Sequence, residues 1–283
     1  MTEIISVAVK TVFRGIGQVF FQENALTGLF FTLGIALSSP PMAAAVVVGS
    51  ALGAATARVA GFDRSDISAG IFGFNSALVG IAALVFFQPG VGCLVLLVLG
   101  SIVAALVARL GHRYLPFPTY TVAFILTTWV MFFLGVALNL PQVEPAPGPV
   151  ATNLFTAILH GVSQVKFQAN VWTGLLFIIG IAVNNWRHAV WVLLASVLSV
   201  LGAVFHNASD EGIALGLYGY NAPLTAIALF LWRPSLIAPL LGVFLSIPLT
   251  EYVPLLGLPA LTVPFVLATW LVLALGWFER KLV

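Results

Sequence analysis

Long apolar runs separated by short polar or Pro/Gly breaks set the rhythm of this 283-residue chain. Five runs lie in the first half, near 25–38, 42–58, 66–87, 91–109 and 117–138, and five in the second, near 171–184, 189–205, 212–232, 235–250 and 258–278. Runs of this kind predict membrane-crossing helices. Several are shorter than the roughly 20 residues that a perpendicular span needs, which predicts tilted or interrupted helices. Residues 4–22 and 150–168 follow another pattern, amphipathic with Lys10, Arg14 and Lys166 inside. They read as tilted or re-entrant helices, the alternative being helices lying in the membrane interface.

The pattern repeats. FQENALTGLFFTLGIAL at 21–37 matches FQANVWTGLLFIIGIAV at 167–183 at ten of seventeen positions, an offset of 146 residues. The same offset aligns GFNSALVGIA at 73–82 with GYNAPLTAIA at 219–228, and an offset of 141 aligns TVAFILTTW at 121–129 with TVPFVLATW at 262–270. Three collinear matches define two homologous halves, 1–140 and 150–283, joined by a Pro-rich linker at 141–149. Five crossings per half is an odd number, so the second half enters the membrane from the opposite side. The expected fold is therefore an all-α integral membrane protein. It has ten transmembrane helices plus two re-entrant or tilted half-helices, arranged as two inverted-topology repeats around a central pore.

Composition supports the membrane and the charges orient it. Hydrophobic residues make up 61% of the chain and charged residues 7%, with a mean hydropathy of +1.11, far from the quarter or so of charged residues usual in soluble domains. Lys10, Arg14, Arg58, Arg64, Arg109, Arg113, Arg187, Arg233, Arg280 and Lys281 all fall on one side of a ten-span chain. By the positive-inside rule that side is cytoplasmic and holds both termini, in a multi-pass protein of the cell membrane. The eleventh base, Lys166, lies inside the second copy of the motif QVFFQEN at 18–24, which recurs as QVKFQAN at 164–170. The N-terminus lacks the pattern of a cleavable signal peptide.

Candidate functional residues come in pairs. Gln18 and Gln164 are expensive in a membrane; each is either glue between helices or a ligand in a pore. Phe21 and Phe167 follow them on the same helical face. Phe74 with Leu78, and Tyr220 with Leu224, stand at i and i+4 and predict flat apolar walls. Asn75 and Asn221 suit free backbone groups at an interrupted helix. Thr121 and Thr262 offer hydroxyls either to a carbonyl one turn back or to a passing solute. Glu23 has no acidic partner in the other copy, where Ala169 stands. An unmatched carboxylate in a membrane is a functional candidate, with pairing to a base or exposure to water as the alternatives.

Other residues narrow the classes. Cys93 is alone in an apolar run, so neither a disulfide nor a thiolate metal site is expected. His112, His160, His188 and His206 are scattered without ligand spacing, so no metal or other cofactor is expected. Asp63, Asp66, Asp210 and Glu211 precede apolar runs, where helix caps and dipoles suit acids. Asn207-Ala208-Ser209 fits the glycosylation pattern, which matters only in a secretory setting. Nothing resembles a phosphate loop, a nucleophile motif or a nucleic-acid footprint.

QVxFxxN followed by a TG pair, G-[FY]-N-x-x-L twice, and LPALTVPFVLATW at 258–270 together give the chain its resemblance to the urea transporter family of channel-like proteins. The resemblance covers both halves. It implies a homotrimer with a separate pore in each protomer, passing urea down its gradient. Gln18 and Gln164 would bind urea at opposite ends of a filter. Phe21, Phe74, Leu78, Phe167, Tyr220 and Leu224 would form its plates, and Thr121 and Thr262 would line its centre. The first-half string LPFPTYTVAF holds two extra residues and has Ala123 in place of the expected proline, which leaves Thr119 as an alternative to Thr121. Tyr220 and Ala226 replace a commoner phenylalanine and glycine. Competing readings are an ion-coupled secondary transporter, for which Glu23 is the candidate centre, a channel for small amides, ammonia or water, and a membrane enzyme, which lacks any catalytic cluster.

Overall fold

The computed structural model describes residues 2–144 and 153–282, and the side chains of 5–144 and 153–279. Among these residues the backbone is helical, with one isolated antiparallel bridge between Phe87 and Gln142. Seven helices precede the linker: α1 Thr2–Gln18, α2 Ala25–Ser38, α3 Pro40–Val59, α4 Arg64–Ala69, α5 Phe74–Phe86, α6 Val91–Tyr114 and α7 Val122–Ala137. Seven follow it: α8 Leu154–Gln164, α9 Val171–Asn184, α10 Trp186–Phe205, α11 Asp210–Ala214, α12 Asn221–Trp232, α13 Ile237–Tyr252 with a 3₁₀ turn at Val253–Leu256, and α14 Val263–Leu282.

Local sequence explains where these helices begin. Asn24 caps α2 by accepting from the amides of Leu26 at 2.8 Å and Thr27 at 3.2 Å. Ser39 caps α3, whose first positions are prolines, which lack the amide a helix start leaves unpaired. Asp63 caps α4. The hydroxyl of Ser65 and the amides of Asp66 and Ser65 hold its carboxyl below the ordinary carboxylate range. Ser209 caps α11 at the corresponding place, so the acid is one of two solutions to the same need.

Among the described residues four stretches, Pro40–Val59, Val91–Tyr114, Trp186–Phe205 and Ile237–Leu256, are long and apolar enough to cross a membrane, and six further apolar helices are shorter. The chain is a membrane protein. The runs expected as single spans at 66–87 and 212–232 are each interrupted. Short α4 and α11 end at Gly70 and Gly216, whose φ values are +84° and +75°, before α5 and α12 begin. The runs at 117–138 and 258–278 start late, at Val122 and Val263, because turns occupy the residues just before them. Apolar residues continue through all four places, so hydrophobicity alone does not reveal the breaks. The linker at 141–149 lies partly outside the described residues. Its start pairs with the end of α5, where Gln88 donates its amide to Pro141 O at 2.8 Å and Val143 donates to Phe86 O at 3.0 Å.

The chain forms two compact units, Met1–Ala146 with Ile179–Asn184, and Pro147–Ile178 with Asn185–Val283. In the first, α3 packs on α5 and α6, and α1 on α2. Ser76 and Ser101 exchange hydroxyl-to-carbonyl hydrogen bonds of 2.6 and 3.2 Å between α5 and α6. Thr27 Oγ1 donates to Gly180 O at 2.7 Å, and Asn184 joins Gln22 and Asn24 through its side-chain amide. In the second unit α12 packs on α10, α13 and α14. In each unit two segments cross with glycine facing glycine. A β-carbon on Gly15 would lie 2.9 Å from Gly73 Cα, and one on Gly161 would lie 2.8 Å from Gly219 Cα. The glycine of GFN and of GYN is therefore a packing requirement.

Candidate functional site

Each glutamine of the paired motif ends its helix and reaches the interrupted segment of its own unit. Gln18 Nε2 donates to Ala69 O at 2.9 Å, and Gln164 Nε2 donates to Leu215 O at 2.8 Å. Both acceptors sit where α4 and α11 stop, so each amide satisfies a carbonyl that the break releases. A carbonyl partner also decides which end of the amide faces inward, since only the NH₂ group can donate. Oε1 of Gln18 and of Gln164 then accepts no hydrogen bond among the described residues. Both side chains are half-buried. Each glutamine is thus anchored at nitrogen and left available at oxygen.

Three residues further on, the chain does something costly. Phe21 and Phe167 have φ values of +60° and +57°. Phe21 donates its amide to Gln18 O at 2.9 Å and Gln22 donates to Gly17 O at 3.2 Å; Phe167 and Gln168 repeat both bonds onto Gln164 O and Ser163 O at 2.9 and 3.2 Å. This is the Schellman helix ending, whose left-handed residue is usually glycine or asparagine. The chain follows that preference at Gly61, Gly70, Asn139, Asn207 and Gly216. A left-handed L-residue costs roughly 1–2 kcal/mol, so two phenylalanines here are placed against the backbone's own preference.

Phe74 and Tyr220, at the N-terminal ends of α5 and α12, are half-buried, while Leu78 and Leu224 one turn later are buried. Asn75 spends both ends of its amide on backbone: Oδ1 accepts from Phe124 N at 2.9 Å and Nδ2 donates to Tyr120 O at 3.3 Å. Asn221 Oδ1 likewise accepts from Phe265 N at 3.3 Å. Thr121 and Thr262 are buried and stand directly before α7 and α14. Each follows a left-handed residue, Tyr120 or Leu261, and each accepts the amide four residues on, from Ile125 at 2.9 Å and Val266 at 3.1 Å. Thr121 is therefore the local counterpart of Thr262. Thr119 packs instead against Gly111 of α6. Glu23 is exposed at the turn between α1 and α2.

A model of the family described as urea transporter matches residues 9–276. The chain belongs to the urea transporter family. It is similar to urea transporter 1 of Ovis aries, 28% identical over 295 residues that cover 94% of this chain and 77% of the relative. It is also similar to urea transporter 1 of Mus musculus, 27% identical over 301 residues covering 93% and 76%. Two residues of this family member escape motif reasoning. Tyr120 presents its ring edge-on to Phe21, with centroids 5.9 Å apart; an aromatic residue next to the motif threonine was the available signal. Lys166 is fully buried at the position that Phe20 occupies in the first copy. Phe20 packs on Phe31 with centroids 5.3 Å apart, and Lys166 Nζ lies 5.4 Å from the Phe177 ring. An aromatic pair has been replaced by a cation–π pair.

Proposed function

We propose that the chain passes urea through the cell membrane by facilitated diffusion, along a narrow aromatic-walled filter with a ladder of oxygen acceptors. The observation that carries this reading is the paired glutamine, held by nitrogen and open at oxygen, beside a phenylalanine kept in left-handed backbone. Urea is flat and neutral and carries more N–H donors than acceptors, so a dehydrated molecule needs acceptors along its edge and apolar plates against its faces. Gln18 and Gln164 supply the first acceptors, Thr121 and Thr262 the central ones. Phe21, Phe74 and Leu78, with Phe167, Tyr220 and Leu224, supply the plates. Asn75 and Asn221 hold the backbone and do not touch the solute.

The recurrence of the same hydrogen bonds at offsets of 146 and 141 residues supports two inverted repeats of five spans each. The ten-span count, with both termini in the cytoplasm, rests on the segregation of Lys and Arg; labelling of introduced cysteines by an impermeant maleimide tests it, and opposite sidedness of the termini would reject it. A homotrimer is part of this proposal, implied by the family resemblance, and is tested by cross-linking in the membrane. Glu23, exposed at a turn, gives an ion-coupled mechanism no buried centre.

The test is transport by Gln18→Ala and Gln164→Ala in liposomes. One hydrogen bond is worth about 1 kcal/mol net, so each variant is expected to lower urea flux about fivefold while remaining folded. Wild-type flux in both would assign the glutamines to helix packing alone.

A further inference from the structure

The two units differ in a hydroxyl group at matched positions at the N-terminal ends of α5 and α12. Phe74 stands before Asn75, and at the same place in the second unit Tyr220 stands before Asn221; Tyr120 before Thr121 corresponds to Leu261 before Thr262. In the first unit the carbonyl of Tyr120 receives Asn75 Nδ2 at 3.3 Å. In the second, the carbonyl of Leu261 receives the Tyr220 hydroxyl at 2.8 Å, and Asn221 Nδ2 turns to Thr250 Oγ1 at 3.3 Å. The tyrosine has taken over a carbonyl that the asparagine serves in the other copy.

A phenol has one donor and lone pairs to accept with. The bond to Leu261 uses the donor and fixes the direction of the O–H; of the oxygen's two lone pairs, one is turned to the Asn221 amide and one remains. The Tyr220 side chain as a whole is half-buried. The first unit offers only the hydrocarbon ring of Phe74 here.

We propose that the Tyr220 hydroxyl is a specificity-determining acceptor, which selects solutes presenting N–H to the second wall over equally flat amides that present methyl. This rests on the pathway reading above. The Leu261 carbonyl orients the hydroxyl and the permeant N–H takes the remaining lone pair. Urea satisfies it with an amino group; acetamide carries a methyl where urea carries its second amino group.

The experiment compares urea and acetamide fluxes through the full-length protein in liposomes for wild type, Tyr220→Phe and Phe74→Tyr. Tyr220→Phe is expected to lower the urea-to-acetamide ratio about fivefold, the factor one ordinary hydrogen bond supplies. Phe74→Tyr, which adds a hydroxyl to the other wall, is expected to raise it. Ratios unchanged in both variants, or a parallel fall for both solutes in Tyr220→Phe, would make the hydroxyl a brace for Leu261 and overturn the proposal. If wild type carries urea no faster than empty vesicles, the pathway reading fails first, and the inference with it.

Discussion

Phe21 and Phe167 accept backbone strain at a place where, among the described residues, six other left-handed residues at helix ends are glycine or asparagine. Strain that recurs in both copies, beside the same glutamine, is best explained by the need to hold a ring in a fixed place. Phe21→Gly and Phe21→Ala both remove the ring, yet only glycine relieves the backbone. The glycine variant is expected to be about 1 kcal/mol more stable than the alanine variant, read from thermal unfolding in detergent. Equal stability would mean that the positive φ costs nothing. Lys166 offers a second residue-scale test. The first copy shows that a phenyl ring fits against the partner aromatic, and burying an ammonium is costly. Lys166→Phe is therefore expected to fold and to raise the unfolding temperature; a lower temperature would show that the lysine stabilises its unit. Neither the strain nor the cation–π pair was legible in the residues alone, since sequence patterning carries no sign of φ and no direction for a side chain.

At the scale of elements, interrupted helices create the free carbonyls and glycine crossings bring the glutamines to them. Gly15 and Gly161 touch Gly73 and Gly219 almost backbone to backbone. Gly15→Ala and Gly161→Ala are expected to destabilise by about 1–3 kcal/mol through overpacking and to disturb the Gln18 and Gln164 anchors with them. Gly61→Ala is the control, because a β-carbon there meets nothing within 4 Å and the cost is only that of its left-handed backbone. Similar unfolding temperatures for all three would contradict the crossing argument. Much of this layer was legible: α2 and α9, and α3 and α10, begin and end at the same 146-residue offset that the sequence match defines. An interruption was legible from Asn75 and Asn221, but its place at Gly70 and Gly216 was not fixed by hydropathy alone. The partner of Gln18 lies 51 residues away, beyond any local pattern.

For the whole molecule, a chain with 7% charged residues and, among the described residues, four long and six short apolar helices belongs in a bilayer, and membership of the urea transporter family names the solute to try. The charge-poor composition offers ions little compensation for lost water. Composition and the repeated motifs made the class and the paired residues legible. How the amides, carbonyls and rings share their hydrogen bonds required the folded chain. Facilitated diffusion is tested most directly by light scattering from liposomes holding the purified protein, under an imposed urea gradient with no sodium or proton gradient. The predicted result is urea flux well above that of empty vesicles and unchanged when ion gradients are added. Flux that appears only with an ion gradient, or no excess flux at all, would contradict it.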